Sequence, residues 1–119
     1  MGPYCNLVVL TGTITNEPSR RSSTSGVDVV NFDLATLIDG VKVSVPIAWY
    51  DPRDATVASF GVGDGVVVVG SVRRRFFRVG GQTQSRTEVV VDRLVPARRT
   101  RSVRSALGAA AAAITRVVE

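Results

Sequence analysis

Hydrophobic and polar residues alternate with a period of two along much of this chain, the pattern of β-strands that bury one face. The runs that follow this pattern, or that are rich in β-branched residues, cover residues 6–15, 27–38, 41–49 and 65–91. Asp39-Gly40 and Gly80-Gly81 lie between strands, and two-residue turns of this kind are strong hairpin signals. The pattern therefore predicts an all-β domain with two hairpins.

The order of the predicted elements indicates a fold. Gly12 interrupts the first strand, where a bulge or a barrel corner is expected. Asp51-Pro52 resembles an N-cap followed by proline at the first helical position, and predicts a helix of about two turns ending before Gly61. The polar residues 16–26 predict a loop, which could contain a short strand at residues 19–22. Three main strands, a short helix and a long hairpin from the last two strands predict a five-stranded Greek-key barrel of the OB (oligonucleotide-binding) type.

The composition changes after Pro96, so we divide the chain into an OB domain, residues 1–96, and a C-terminal region, residues 97–119. This region begins with a basic linker, and an apolar stripe then predicts an amphipathic helix over residues 102–118. The stripe consists of Val103, Leu107, Ala110, Ile114 and Val117. The helix could pack on its own barrel, join two subunits, or lie on a membrane surface. The alanine-rich stripe disfavours the membrane alternative because it buries little area.

The number and position of the charged residues indicate the kind of partner. The 119 residues suit one domain, and 15 basic residues, 14 of them arginine, face 10 acidic ones for a net charge of +5. Ten arginines lie between Arg73 and Arg104, where Glu88 and Asp92 supply the acidic residues. Such clustering predicts a polyanionic partner, and arginine suits bidentate contact with phosphate.

Several functions are disfavoured by what the sequence lacks. It has no histidine, which excludes histidine-based catalysis and metal binding. Its single cysteine, Cys5, cannot form an internal disulfide or a thiolate metal site alone, which fits a reducing cytoplasm. No nucleophile lies beside a base. We expect no catalytic residue, no metal, no cofactor and no signal peptide.

The most informative stretch is the long hairpin at residues 65–91, which we call the finger. Alternation places Arg73, Arg75 and Phe77 on one face, and Arg74 and Phe76 on the other. Guanidinium groups can hold phosphates while an aromatic ring stacks on an unstacked base. The alternative is a solvated edge hairpin whose arginines only prevent aggregation.

Other arginines are candidates for phosphate contact. Arg78 and Arg86 lie on the finger. Arg20 and Arg21 lie in the polar segment of residues 16–26, which could equally be a solvated loop.

Taken together, these segments resemble the bacterial single-stranded DNA-binding proteins (SSB) over roughly residues 6–96. The resemblance rests on NLVVLTGTITNEPS, SGVDVVNFDLAT, VPIAWYDP, GVGDGVVVVGSVRRR and TEVVVDRL, in this order. It implies an OB fold and sequence-tolerant binding of single-stranded DNA in replication, recombination or repair. It also implies a homotetramer. We expect a homo-oligomer, a tetramer or a dimer, without membrane contact.

The resemblance also implies roles for individual residues. Trp49 and Phe77 fall at stacking positions of the family, and Arg73 and Arg75 at basic positions. Val43 falls where many members have an aromatic residue, and the short Asp39-Gly40 turn replaces a longer loop that usually supplies another. Fewer stacking platforms predict a weaker or shorter binding track.

Trp49 presents a conflict. Alternation places it with Val45 and Ile47 on the core face, whereas the resemblance places it on the DNA face. A bulge at Pro46 would reconcile the two, so both a buried anchor and a base platform stay open. Tyr50 and Tyr4 are further candidate contacts.

The C-terminal sequence ITRVVE differs from the flexible, acidic-tipped tail with which family members commonly recruit enzymes. We therefore expect no recruitment of that kind, and a paralogue, a phage version or a tail-less accessory protein is plausible. Two alternatives to DNA binding stay open. One is an RNA-binding or primosome-like OB protein. The other is an assembly module that uses its C-terminal helix to oligomerise or to dock a partner.

Overall fold

The computed structural model describes residues 4–118. Predictions that concern residues 1–3 or Glu119 therefore fall outside the described part of the chain. The elements are β1 (Val8–Ile14), β2 (Ser19–Ser22), β3 (Asp28–Ile38), β4 (Val41–Tyr50), α1 (Asp54–Ala58), β5 (Gly65–Val79), β6 (Gln82–Pro96) and α2 (Thr100–Val118). No helix in the described part of the chain is long and apolar enough to cross a bilayer.

Five of the strands form a closed barrel. The sheet order is β1-β5-β6-β4-β3, and β1 also pairs with β3, which closes the ring. The β4 and β6 pairing is parallel, whereas the other pairings are antiparallel. The short β2 extends the sheet beside β3, so the segment predicted as a loop contains the optional strand at residues 19–22. The barrel, with α1 between β4 and β5, confirms the predicted OB fold.

Gly12 marks the place where β1 passes from β5 to β3. Its pairing with β5 is unbroken, from Val8 opposite Gly70 to Thr13 opposite Gly65, so no bulge forms there. A side chain would be the obstacle, because a Cβ on Gly12 would lie 2.1 Å from the carbonyl oxygen of Ala35. Glycine is needed at this position for close approach of the two backbones.

Both predicted hairpin turns are present, and each has two residues with positive φ. These angles are 51° at Asp39 and 80° at Gly40, and 58° at Gly80 and 81° at Gly81. This is the backbone of a type I′ turn, whose twist matches that of the flanking strands. The local sequence was therefore sufficient to place the turns.

The helix after β4 begins later than predicted. Arg53 is the residue before its first turn and makes no side-chain cap, and α1 has 5 residues. Asp51 is not the N-cap, because its φ is 52°, in the left-handed region. It precedes Pro52, and proline disfavours the helical conformation in the residue before it.

The C-terminal helix packs on its own barrel. Ala106 and Ala110 are buried in a cluster with Val69, against which Leu7 packs. The predicted apolar stripe is wrong in part, since Leu107 and Ile114 are 40% and 42% exposed. Small alanine side chains let the helix approach the barrel closely, so the alanine face is buried and the larger residues lie at its flank.

Candidate nucleic-acid interface

The outer part of the finger is a regular two-stranded ribbon. Beyond the barrel, β5 and β6 pair without interruption from Arg73 opposite Glu88 to Val79 opposite Gln82. The two faces of this ribbon therefore alternate strictly, as predicted. The register follows from the turn, because residues equally distant from Gly80-Gly81 lie opposite each other.

One face of the ribbon is organised around a buried carboxylate. Glu88 is only 1% exposed. Its Oε2 lies 3.0 Å from Arg73 Nη2, and its Oε1 lies 3.5 Å from Arg75 Nε. We call this side of the finger the Glu88 face. The two arginines expected to act as free cations thus share one negative charge.

Each of these arginines also lies against an aromatic ring. The Arg75 guanidinium is 5.1 Å from the centre of the Phe77 ring. The Arg73 guanidinium is 4.8 Å from the centre of the Tyr50 ring and donates a hydrogen bond to its hydroxyl. Each guanidinium group of the Glu88 face therefore has an aromatic ring beside it, with Tyr50 and Phe77 on either side of the arginine pair. Such an array offers aromatic surfaces on which bases can stack, next to guanidinium N–H groups that can donate hydrogen bonds to phosphates.

The opposite face carries a second, more exposed pair. The Arg74 guanidinium lies 5.5 Å from the centre of the Phe76 ring and donates to Ser85 Oγ. Phe76 is 64% exposed. The assignment of Arg73, Arg75 and Phe77 to one face, and of Arg74 and Phe76 to the other, therefore agrees with the alternation of the sequence.

The remaining arginines of the finger have different surroundings. Arg78 lies at the tip, where it donates to the carbonyl oxygen of Gly81 and to Thr83 Oγ1, the latter at 3.4 Å. Arg86 lies opposite Arg75, and its Nη2 is 3.8 Å from Asp33 Oδ1. Arg86 thus connects the finger to β3.

Arg20 and Arg21 are neighbours in sequence but point to different partners. Arg21 donates from Nε to Asn31 Oδ1 at 2.9 Å, and its Nη2 is buried without a hydrogen-bond partner among the described residues. Arg20 forms ion pairs with Asp28 at 3.1 Å and with Asp54 at 2.7 Å. Only Arg21 faces the finger, because consecutive residues of β2 lie on opposite faces of the sheet.

A groove of about 580 Å³ lies between the finger and the segment at residues 23–25. Five of the sequence-predicted residues line it, namely Arg21, Arg73, Arg75, Phe77 and Arg78. Tyr50, Arg74 and Phe76 line it as well. We call it the finger groove. It combines cationic donors with aromatic rings, which suits a strand with exposed phosphates and bases.

Trp49 lies outside the finger groove. The register of β3 and β4 is continuous from Val29 opposite Tyr50 to Ile38 opposite Val41, so the bulge suggested at Pro46 is absent. Trp49 accordingly packs, partly buried, against the core. Its ring meets that of Phe60 edge to face, with centroids 6.0 Å apart. The structure gives Trp49 the position of an anchor, and nucleic-acid contact by this residue stays a prediction.

Glu88 is the residue that sequence reasoning missed, although a signal was present. Counting outward from Gly80-Gly81 pairs Glu88 with Arg73, which would have placed a carboxylate among the arginines. Tyr50 and Trp49 lie on opposite faces of β4 because they are consecutive in the strand, and Tyr50 is the one that faces the finger groove. Within residues 4–118 no group of acidic or cysteine residues could hold a metal ion, and Cys5 is exposed ahead of β1.

An OB barrel whose groove joins arginines to aromatic rings belongs to the class of oligonucleotide-binding domains. The comparison with protein families agrees, because residues 5–96 match the Single-strand binding protein family. The chain belongs to this DNA-binding family, and its general function is to bind single-stranded DNA. A comparison with curated proteins finds no match.

Proposed function

We propose that this protein binds single-stranded DNA with little dependence on sequence, in replication, recombination or repair, and that it is not an enzyme. The observation that supports this most is the Glu88 face, where Arg73 and Arg75 each lie against an aromatic ring inside one groove. Bases would stack on Phe77 and phosphates would meet the arginines. Only an unpaired strand can offer both at once.

The surroundings of each arginine suggest its share in binding. Arg73 and Arg75 are held in place by Glu88 and would meet phosphates with their remaining N–H groups. Arg21, Arg78 and Arg86 would extend the track. Arg20 would contribute less, because two carboxylates already bind it. Because each stacked base adds roughly 1 to 3 kcal/mol, a track with few rings should be short.

Fluorescence anisotropy of a labelled oligo-dT tests this proposal at about 50 and 200 mM salt, where phosphate contacts predict a steep loss of affinity. We expect saturable binding that weakens with salt. Competition with oligo-rU and with duplex DNA separates DNA binding from the RNA-binding or primosome-like alternative. Absence of saturable binding at the lower salt concentration would refute the proposal.

We also propose that the protein is a homo-oligomer, a tetramer or a dimer, located in the cytoplasm. Exposed aliphatic residues at the β3-β4 hairpin, Leu37, Ile38 and Val41, support self-association because their burial would be favourable. A reducing compartment suits the free Cys5. Native mass measurement, with and without an oligonucleotide, would give the number of subunits. A monomer under both conditions would contradict oligomerisation.

A second candidate function is an assembly module based on α2. It is favoured by Leu107 and Ile114, which α2 leaves exposed while its alanines pack on the barrel. Deleting residues 100–119 tests it, with the double variant Leu107→Ser and Ile114→Ser as a milder form. A lower oligomer mass with unchanged DNA affinity would assign α2 to assembly. No change in either quantity would exclude that role.

A further inference from the structure

A second groove, of about 450 Å³, lies between α1, the end of β6 and the start of α2. It shares no lining residue with the finger groove. Apolar residues that line it include Phe60, Leu94 and Pro96, and its basic residues are Arg53, Arg98 and Arg99. We call it the linker groove. It is a candidate binding site because three arginines and an aromatic ring line the same groove.

The charge of the linker groove is uncompensated. None of its lining residues is acidic. Within residues 4–118, the ion pairs involve Arg20, Arg73, Arg75 and Arg86, but none of the three linker-groove arginines. The acidic residue of α1, Asp54, is bound by Arg20 at 2.7 Å. The linker groove therefore carries three arginines without a carboxylate partner among the described residues, a charge distribution that favours an anionic ligand.

We propose that the linker groove binds a second segment of the same nucleic-acid strand, through its phosphates. This inference rests on the proposed function, because the first segment occupies the finger groove. A strand already held there has a high effective concentration for a neighbouring site. Its evenly repeated phosphates suit three arginines around one groove, and Phe60 offers an aromatic surface for a base. An acidic protein segment is the competing occupant.

The test compares two variants that remove the same charge. One carries Arg53→Gln, Arg98→Gln and Arg99→Gln. The control carries Arg101→Gln, Arg104→Gln and Arg116→Gln, which lie on α2 outside the groove lining. All six side chains belong to exposed residues, so both variants should fold. Circular dichroism would verify this.

Two probes separate the grooves. An oligo-dT of about 8 nucleotides fits one OB site, whereas one of about 35 nucleotides can reach further. We expect the linker-groove variant to bind the short probe normally. The salt slope is the steepness with which the logarithm of the binding constant falls as the logarithm of the salt concentration rises. For the long probe, losing three phosphate contacts should lower this slope by about 2 and the affinity about a hundredfold at 0.1 M salt. The control variant should retain most of its affinity.

Trp49 provides an independent signal. It is the only tryptophan of the chain, and its ring contacts Phe60, which lines the linker groove. Its fluorescence should change with the long probe, and this change should be absent in the linker-groove variant.

The outcomes distinguish failure of this inference from failure of the proposed function. If both variants lose the same affinity for the long probe, the loss reflects the lower net charge and not the linker groove, and the inference is overturned. Unchanged binding of the long probe by the linker-groove variant would also overturn it. So would a change of Trp49 fluorescence on adding oligo-glutamate but not the long probe, which would assign the groove to an acidic protein segment. If neither DNA probe binds the wild-type protein, the proposed function itself fails.

Discussion

Replacing Glu88 by glutamine should have opposite effects on stability and on DNA binding. The substitution keeps the shape of the side chain but removes the charge that Arg73 and Arg75 share. Losing one partner of a fully buried pair costs about 3 to 5 kcal/mol. Here the arginine side chains are 43% and 29% exposed, and water can hydrate them. We therefore expect a cost of only about 1 to 2 kcal/mol, a fall of roughly 4 to 8 °C in Tm.

Affinity for DNA should rise, because the guanidinium groups no longer share a carboxylate. Each additional phosphate that the arginines bind adds about 0.7 to the salt slope for a single strand, or about fivefold in affinity at 0.1 M salt. Thermal unfolding and anisotropy titration of oligo-dT across several salt concentrations measure the two effects. Asp92→Asn is the matched control, because Asp92 is an exposed acidic residue on the same strand. If Glu88→Gln lowers both affinity and the salt slope, the positioning of the arginines by Glu88 matters more for binding than the charge that it neutralises, and the expected gain is refuted.

Two further comparisons test the register of the finger and the closure of the barrel. Phe77→Ala should cost about 1 to 3 kcal/mol of binding free energy in anisotropy titrations, the value of one stacked base. Phe76→Ala should cost less, and the reverse order would assign stacking to the other face. Gly12→Ala should prevent folding or lower Tm sharply, since the new Cβ would lie 2.1 Å from the Ala35 carbonyl oxygen. Gly108→Ala is the control on α2, where nothing lies within 4 Å of the new Cβ. It should stabilise the protein by up to about 1 kcal/mol, and a comparable loss in both variants would contradict the closure argument.

The parts of the fold that were predictable depend on local interactions. Strand alternation and the turns at Asp39-Gly40 and Gly80-Gly81 follow from backbone preferences of neighbouring residues, and both hairpins form as expected. Alternation also placed Trp49 on the core face. No bulge is needed at Pro46, although proline has no backbone N–H to donate. The pairing of β4 with β6 begins only at the next residue, Ile47, so no observed pairing with β6 is lost.

The parts that were not predictable depend on contacts between distant residues. Alternation along β2 puts Arg20 and Arg21 on opposite faces of the sheet, but which of the two meets a carboxylate depends on Asp54, far along the chain, which binds Arg20. The buried face of α2 likewise depends on the barrel surface. Hydrophobicity predicts a buried stripe that contains Leu107 and Ile114, but the barrel packs against the smaller Ala106 and Ala110. The periodicity of the sequence therefore predicts the helix, but which face of it is buried depends on packing against the barrel.

The distribution of charge leads to a prediction that separates the two grooves. Carboxylates balance part of the charge on the finger, at Glu88 and Asp33, whereas the arginines of the linker groove have no such partners among the described residues. Electrostatic attraction fades as salt rises, but stacking on Phe77 depends much less on salt.

Binding measured at about 0.5 M salt, where ionic screening is strong, should therefore still weaken on Phe77→Ala. The linker-groove variant should then differ little from the wild-type protein, although it differs clearly at about 0.1 M salt. The opposite pattern would mean that the finger binds chiefly by charge and the linker groove by stacking on Phe60.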